Sequence, residues 1–74
     1  MTIEVRLFAG LRKGRFKRGP LDVDDTATLG DLLRQLGLTE SDARVRLVNG
    51  KHSEPDRPLA DGDVVALFPL VAGG

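Results

Sequence analysis

The sequence predicts an α+β roll: a mixed sheet of four to five strands with one main helix packed across it. Three observations predict it. Apolar and charged residues alternate near the start, leucines at helical spacing occupy the middle, and the most apolar run stands near the end. The chain has 74 residues, enough for one small domain. Ordering a chain costs on the order of 1.5 kcal/mol per residue, so a core this small leaves little margin. A deep internal active site would consume scarce packing volume. Function is therefore expected on the surface or at a chain end.

Ile3, Val5 and Leu7 alternate with Glu4 and Arg6, the period of a half-buried strand. Phe8 falls on the polar phase of that strand. Gly10, Gly14 and Gly19 punctuate the basic stretch from Leu11 to Arg18. A second strand is expected over Pro20 to Asp24, returning antiparallel, with Leu21 and Val23 alternating against Asp22 and Asp24. Next comes a helix with recognisable ends. Thr28 can act as N-cap, with Asp31 completing a capping box and suiting the positive end of the helix dipole. Leu29, Leu32, Leu33 and Leu36 form one apolar stripe, and Gly37 is placed to end the helix in a left-handed conformation. Gly30 weakens this short helix, which depends on packing its leucines against the sheet.

Val45 to Val48 reads as a third strand, closed by the turn dipeptide Asn49-Gly50. Residues Lys51 to Pro58 look irregular, with a stub of strand around Lys51 and His52. Asp61 and Asp63 flank Gly62 as turn formers. Val64 to Phe68 is the best candidate for a central strand, pairing in parallel with the first. Residues 1–68 are thus expected to form the fold, and 69–74 a flexible tail ending in Gly73-Gly74.

Composition removes several function classes. Eleven basic residues balance eleven acidic ones, which argues against a dedicated nucleic-acid binder. There is no cysteine, so thiolate metal sites and cysteine nucleophiles are excluded, and a lone histidine excludes a multi-histidine site. No apolar run approaches the 18 or so residues of a membrane span, and the charged start is unlike a signal peptide. A soluble cytoplasmic protein that touches neither membrane nor nucleic acid is expected. No nucleophile–base pair is legible, so the chain is not expected to be an enzyme by itself. The first twenty residues hold six basic groups against Glu4 alone, whereas the remaining 54 hold five against ten acidic ones. Arg12, Lys13, Arg15, Lys17 and Arg18 read as a solvated loop, with an acidic partner, RNA or phosphate as the rival reading.

The order of elements, with the sequence stopping at Gly73-Gly74, resembles the ubiquitin-like β-grasp fold. More closely it resembles the bacterial sulfur carriers: the small subunit of molybdopterin synthase (MoaD) and the thiazole-synthesis carrier (ThiS). VRLFAGLR at positions 5 to 12, LADGDVVALFP at 59 to 69 and VAGG at 71 to 74 carry the resemblance. The opening motif and Phe68-Pro69 lean towards the molybdopterin branch. Val64 and Leu70 depart from it, standing where those carriers usually have an acid and a second proline.

The resemblance implies a chemistry for the tail. A partner related to ubiquitin-activating enzymes would adenylate the Gly74 carboxylate with ATP, so the carrier itself binds no cofactor. A sulfurtransferase or other persulfide donor would then displace AMP and leave a thiocarboxylate. That group would pass its sulfur to a larger catalytic subunit of molybdopterin synthase type, or to a thiazole synthase. Gly73, Ala72, Val71 and Leu70 would thread into the partner's channel. Glycines without a Cβ suit such a channel, and six extended residues reach roughly 20 Å. Phe8, Ala66 and Phe68 fall on the face away from the helix and form a candidate docking patch. The same tail also suits a ubiquitin-like modifier joined through Gly74 to a target lysine. A plain interaction module would have no need of the tail.

Overall fold

The structure, a computed structural model, describes residues 1–70. Strand β1 (Thr2–Leu7) runs into a 3-10 turn (Ala9–Arg12) and returns as β2 (Arg18–Asp22). Helix α1 (Leu29–Gln35) follows, then β3 (Val45–Val48), the two-residue β4 (Lys51–His52) and β5 (Val64–Phe68). The five strands form one mixed sheet in the order β2-β1-β5-β3-β4. β1 and β5 are parallel, with Val5 beside Val65 and Leu7 beside Leu67, and every other pairing is antiparallel. This is the expected roll, with the last strand at its centre.

One face of the sheet carries the core. Ile3, Val5, Leu7, Val65 and Leu67 are fully buried beneath Leu29, Leu32 and Leu33 of α1. The helix owes its position to that stripe, because seven residues form too short a helix to persist alone. Its start is built as expected. The Thr28 backbone N–H donates to Asp31 Oδ2 at 2.9 Å, and the Asp31 N–H donates to Thr28 Oγ1 at 3.2 Å. Gly37 ends the helix with a φ of 74°. Gly30 does more than weaken the helix: its N–H donates to the Pro55 carbonyl at 2.8 Å, and a Cβ there would stand 3.2 Å from that oxygen. The loop after β4 therefore lies directly on the helix at this glycine.

The second strand is displaced from its expected place at Pro20 to Asp24. Pairing begins where Arg6 faces Arg18 and ends where Thr2 faces Asp22, the first residue of β1. Val23 remains buried beyond the strand, its N–H donating to the Met1 carbonyl at 2.9 Å. The Asn49-Gly50 turn takes φ values of 52° and 83°, the twist that a two-residue hairpin between β3 and β4 requires. Asp61 and Asp63 serve as turn formers, accepting from the Thr2 and Ala60 N–H groups at 2.8 Å each.

A second reciprocal pair, Thr39 with Asp42, shapes the turn between α1 and β3. Backbone N–H groups of Thr28 and Thr39, followed by the two hydroxyls, hold the Asp31 and Asp42 carboxyls below the ordinary carboxylate range. A lowered folded-state pKa means stabilisation that is present above the unfolded value and lost as pH falls through the folded one. Urea midpoints should therefore hold steady from neutrality to about pH 5 and drop below about pH 4. The D31N/D42N double variant should show a shallower acid-side drop than the wild-type chain.

Candidate functional site

The sheet face away from α1 holds the candidate docking patch, and register explains why. Residues paired across neighbouring strands point to the same side, so Arg6, Ala66 and Leu47 share this face in one row. Phe68 and Val45 share it in the next. Phe8 lies one residue past β1, and its N–H donates to the Leu67 carbonyl at 3.1 Å, which carries the parallel pairing one step further. The Phe8 and Phe68 rings consequently stack, with centroids 4.2 Å apart and planes 10° from parallel. Both phenylalanines are half-buried because each covers the other.

Phe8, Ala66 and Phe68 therefore stand together, as the alternation expects. Val45, which is 36% exposed, and Leu47 extend the apolar surface beyond them, and sequence reasoning missed both. The reason is the register of β3. Arg46 and Val48 occupy the inward positions opposite Leu67 and Val65, which turns Val45 and Leu47 outward. Arg46 is buried, its Nη1 donating to the Ala43 carbonyl at 2.9 Å and its Nε to the Ser53 carbonyl at 3.3 Å. A buried guanidinium is tolerable when carbonyls satisfy it in this way. Alternation alone favours Val45 and Leu47 as the inward pair, since the other phase of β3 holds Val48 and a charged residue, and only the pairing with β5 reverses that choice.

The basic stretch is more than a solvated loop. Arg15 Nε donates to the Leu36 carbonyl at 2.8 Å and its Nη2 to the Gly37 carbonyl at 3.3 Å. It thus places a cation on the exposed carbonyls at the end of α1, where the helix dipole favours positive charge. Arg12 turns the other way. Its Nε donates to the Leu7 carbonyl at 2.7 Å, and its guanidinium lies 5.4 Å from the centre of the Phe8 ring. Lys13, Lys17 and Arg18 are exposed. His52 is exposed on β4, opposite Leu47.

A shallow cleft of about 430 Å³ lies on the helix side of the molecule, between α1 and Pro55-Asp56. It holds no group that reaches the sheet face. Leu70, the last described residue, is 65% exposed, and it follows Phe68 and Pro69 directly. The expected threading residues Val71, Ala72 and Gly73, and the expected carrier Gly74, lie outside the described residues. No helix among the described residues is long and apolar enough to cross a membrane.

Stacked rings contribute about 0.5–1.5 kcal/mol beyond the area they bury. A double-mutant cycle on Phe8→Ala and Phe68→Ala, read by chemical denaturation, should return a coupling of about that size. The same cycle on Phe8→Ala and Val45→Ala should return much less.

Comparison with known proteins places this geometry among relatives. The model of the ThiS family matches residues 5–74. A curated relative, small archaeal modifier protein 3 of Haloferax volcanii, is 33% identical, the alignment covering all of both chains. The crystal structure of SAMP1 from Haloferax volcanii is 33% identical over the whole of both chains, with a TM-score of 0.76. Subunit 1 of the molybdopterin-converting factor of Helicobacter pylori was solved in complex with subunit 2. The matched chain of that complex is 26% identical over the whole of both chains, with a TM-score of 0.66.

Proposed function

This chain belongs to the ThiS family, and we propose that it works as a sulfur carrier through the carboxylate of Gly74. An adenylating partner related to ubiquitin-activating enzymes uses ATP to convert that carboxylate to an acyl adenylate, releasing pyrophosphate. A persulfide sulfur then attacks the acyl carbon and AMP leaves. Reductive cleavage of the acyl disulfide, by a second thiol of the donor system, frees the thiocarboxylate. The chain supplies the acceptor group and the docking surface, and the partner supplies the catalysis.

The observation that carries this reading is the continuity of the sheet face with the tail. Phe68 belongs to the stacked pair and is followed within one residue of Pro69 by the segment that ends in Gly73-Gly74. A partner seated on Phe8, Phe68, Val45 and Leu47 therefore has the tail at the edge of its footprint. The Helicobacter pylori complex of two molybdopterin-converting-factor subunits supports a larger subunit as the receiver of the sulfur. Molybdenum- or tungsten-cofactor synthesis is the pathway of this proposal, with thiazole synthesis as the alternative receiver.

A second reading has its own support. The likeness to small archaeal modifier protein 3 over the full length favours conjugation of Gly74 to a target amine. Both readings begin from the same adenylate and part at the nucleophile, a persulfide in one and a lysine in the other.

Intact mass spectrometry after incubation with host extract, ATP and a sulfur donor separates them. The carrier reading expects a gain equal to replacing one oxygen by sulfur, lost when Gly74 is deleted. Larger adducts that resist reductant would support the modifier instead. An unchanged mass under conditions that load a known carrier would overturn both.

A further inference from the structure

We propose that Arg12 is a preorganised receptor for a carboxylate of the activating partner, and that this partner presents an acidic side chain beside an apolar surface. The inference rests on the reading that Gly74 is adenylated by such a partner, and it identifies what the docking face recognises.

The first argument is how Arg12 is held. Its Nε is committed to the Leu7 carbonyl at 2.7 Å, and its guanidinium carbon lies over the Phe8 ring, which stacks in turn on Phe68. The two Nη groups have no hydrogen-bond or ion-pair partner among the described residues. Guanidinium recognises carboxylate through a fork of parallel N–H donors, and fixing the fork beforehand removes most of the ordering cost. The backbone contributes to this arrangement. Ala9 takes a φ of 52°, an uncommon conformation for a residue with a Cβ, and it does so within the tight turn that delivers Arg12 to Phe8. Backbone strain of this kind collects where geometry is imposed for function.

The second argument is the charge around the patch. Arg6 and Arg18 lie directly opposite each other on β1 and β2, a like-charge pairing that destabilises a sheet. Glu4 offsets Arg6 with a contact of 2.7 Å, whereas Arg12, Lys13, Lys17 and Arg18 have no ion-pair partner among the described residues. Of these, Arg12 on Phe8 and Arg18 opposite Arg6 stand on the side of the apolar centre. An acidic rim around an apolar patch complements that surface. RNA fits it less well, because the chain carries no net charge and Phe16 alone is interleaved with the cations.

The third argument is that the sheet edges are poor templates for strand addition. Pro20 sits opposite Glu4, whose N–H points away from β2 to the Asp63 carbonyl, so Pro20 faces outward and removes a donor from the middle of that edge. Gln35 Nε2 donates to the Asp22 carbonyl at 2.8 Å and occupies the next acceptor. At the other edge β4 is two residues long. Strand addition has little to pair with at either side, which leaves the face that Arg12 borders.

The test is carrier-dependent ATP–pyrophosphate exchange by the host's adenylating enzyme, titrated with wild-type chain, Arg12→Gln, Arg12→Lys and the Lys13→Gln/Lys17→Gln pair. Circular dichroism and thermal melts confirm that each variant is folded. Arg12→Gln should raise KM for the carrier by about tenfold or more while kcat stays within about twofold. Arg12→Lys should recover only part of the loss, because an ammonium lacks the fork. The lysine pair should raise KM by less than Arg12→Gln. An unchanged KM for Arg12→Gln, or full recovery by Arg12→Lys, would overturn the receptor while leaving the carrier reading intact. Exchange that no concentration of wild-type chain elicits would overturn both together. Wild-type dimers that Arg12→Gln dissociates, without any change in KM, would assign the face to a second copy and sink the proposal.

Discussion

The parallel pairing of β1 with β5 is the constraint on which the remaining structure depends. Two strands from opposite ends of the chain become neighbours at the centre of the sheet, and the chain between them must cross over. Helix α1 lies in that crossover and seals the buried face with Leu29, Leu32 and Leu33. The same pairing acts on the opposite face. Since Leu7 meets Leu67 inside, Phe8 and Phe68 meet outside, and the ring stack is a direct product of the register. Core and candidate docking surface are two sides of one alignment. A slip of one residue would exchange them and destroy both.

The segment between β1 and β2 divides its charges between structure and recognition. Arg15 reaches back to the last carbonyls of α1, and Phe16 packs against the core. Arg12 is held forward over Phe8. Both arginines use backbone carbonyls as anchors, so neither depends on a surface ion pair, the weakest kind of electrostatic contact. What separates them is the direction of the fork. In Arg15 the donors are consumed within the molecule, and in Arg12 the two Nη groups have no partner among the described residues.

Membership of the ThiS family agrees with the proposed division of labour between carrier and catalyst. The described residues provide rigidity and a face, and the proposed chemistry is assigned to Gly74, outside them. Interrupted edges matter in that scheme. Pro20, the Gln35 contact and the brevity of β4 direct association away from strand addition, which recognises any extended peptide, and towards a face whose side chains can discriminate.

Local chemistry made much of this legible in one dimension. The capping box at Thr28 and Asp31, the helix end at Gly37, the Asn49-Gly50 turn and the alternation of β1 and β5 each depend on neighbours in sequence. Each stands where it was expected. Phe8, Ala66 and Phe68 were legible for the same reason, since the pleat alone assigns their side of the sheet. Pairing partners were not. β2 begins at Arg18 because Arg6 stands opposite it, and no residue of β2 encodes that meeting by itself. Gly30 looked like a helix defect until the loop at Pro55 was brought against it. In β3 one phase offers Val45 and Leu47 and the other offers Val48 beside Arg46, and contact with Leu67 and Val65 selects the second, which buries Arg46 and turns Val45 and Leu47 outward. Sequence alone determined the elements and the sides of the two central strands, because those rest on short-range geometry. The full extent of the candidate docking face and the placement of Arg12 were decided by tertiary structure, because each requires atoms that meet only across the fold.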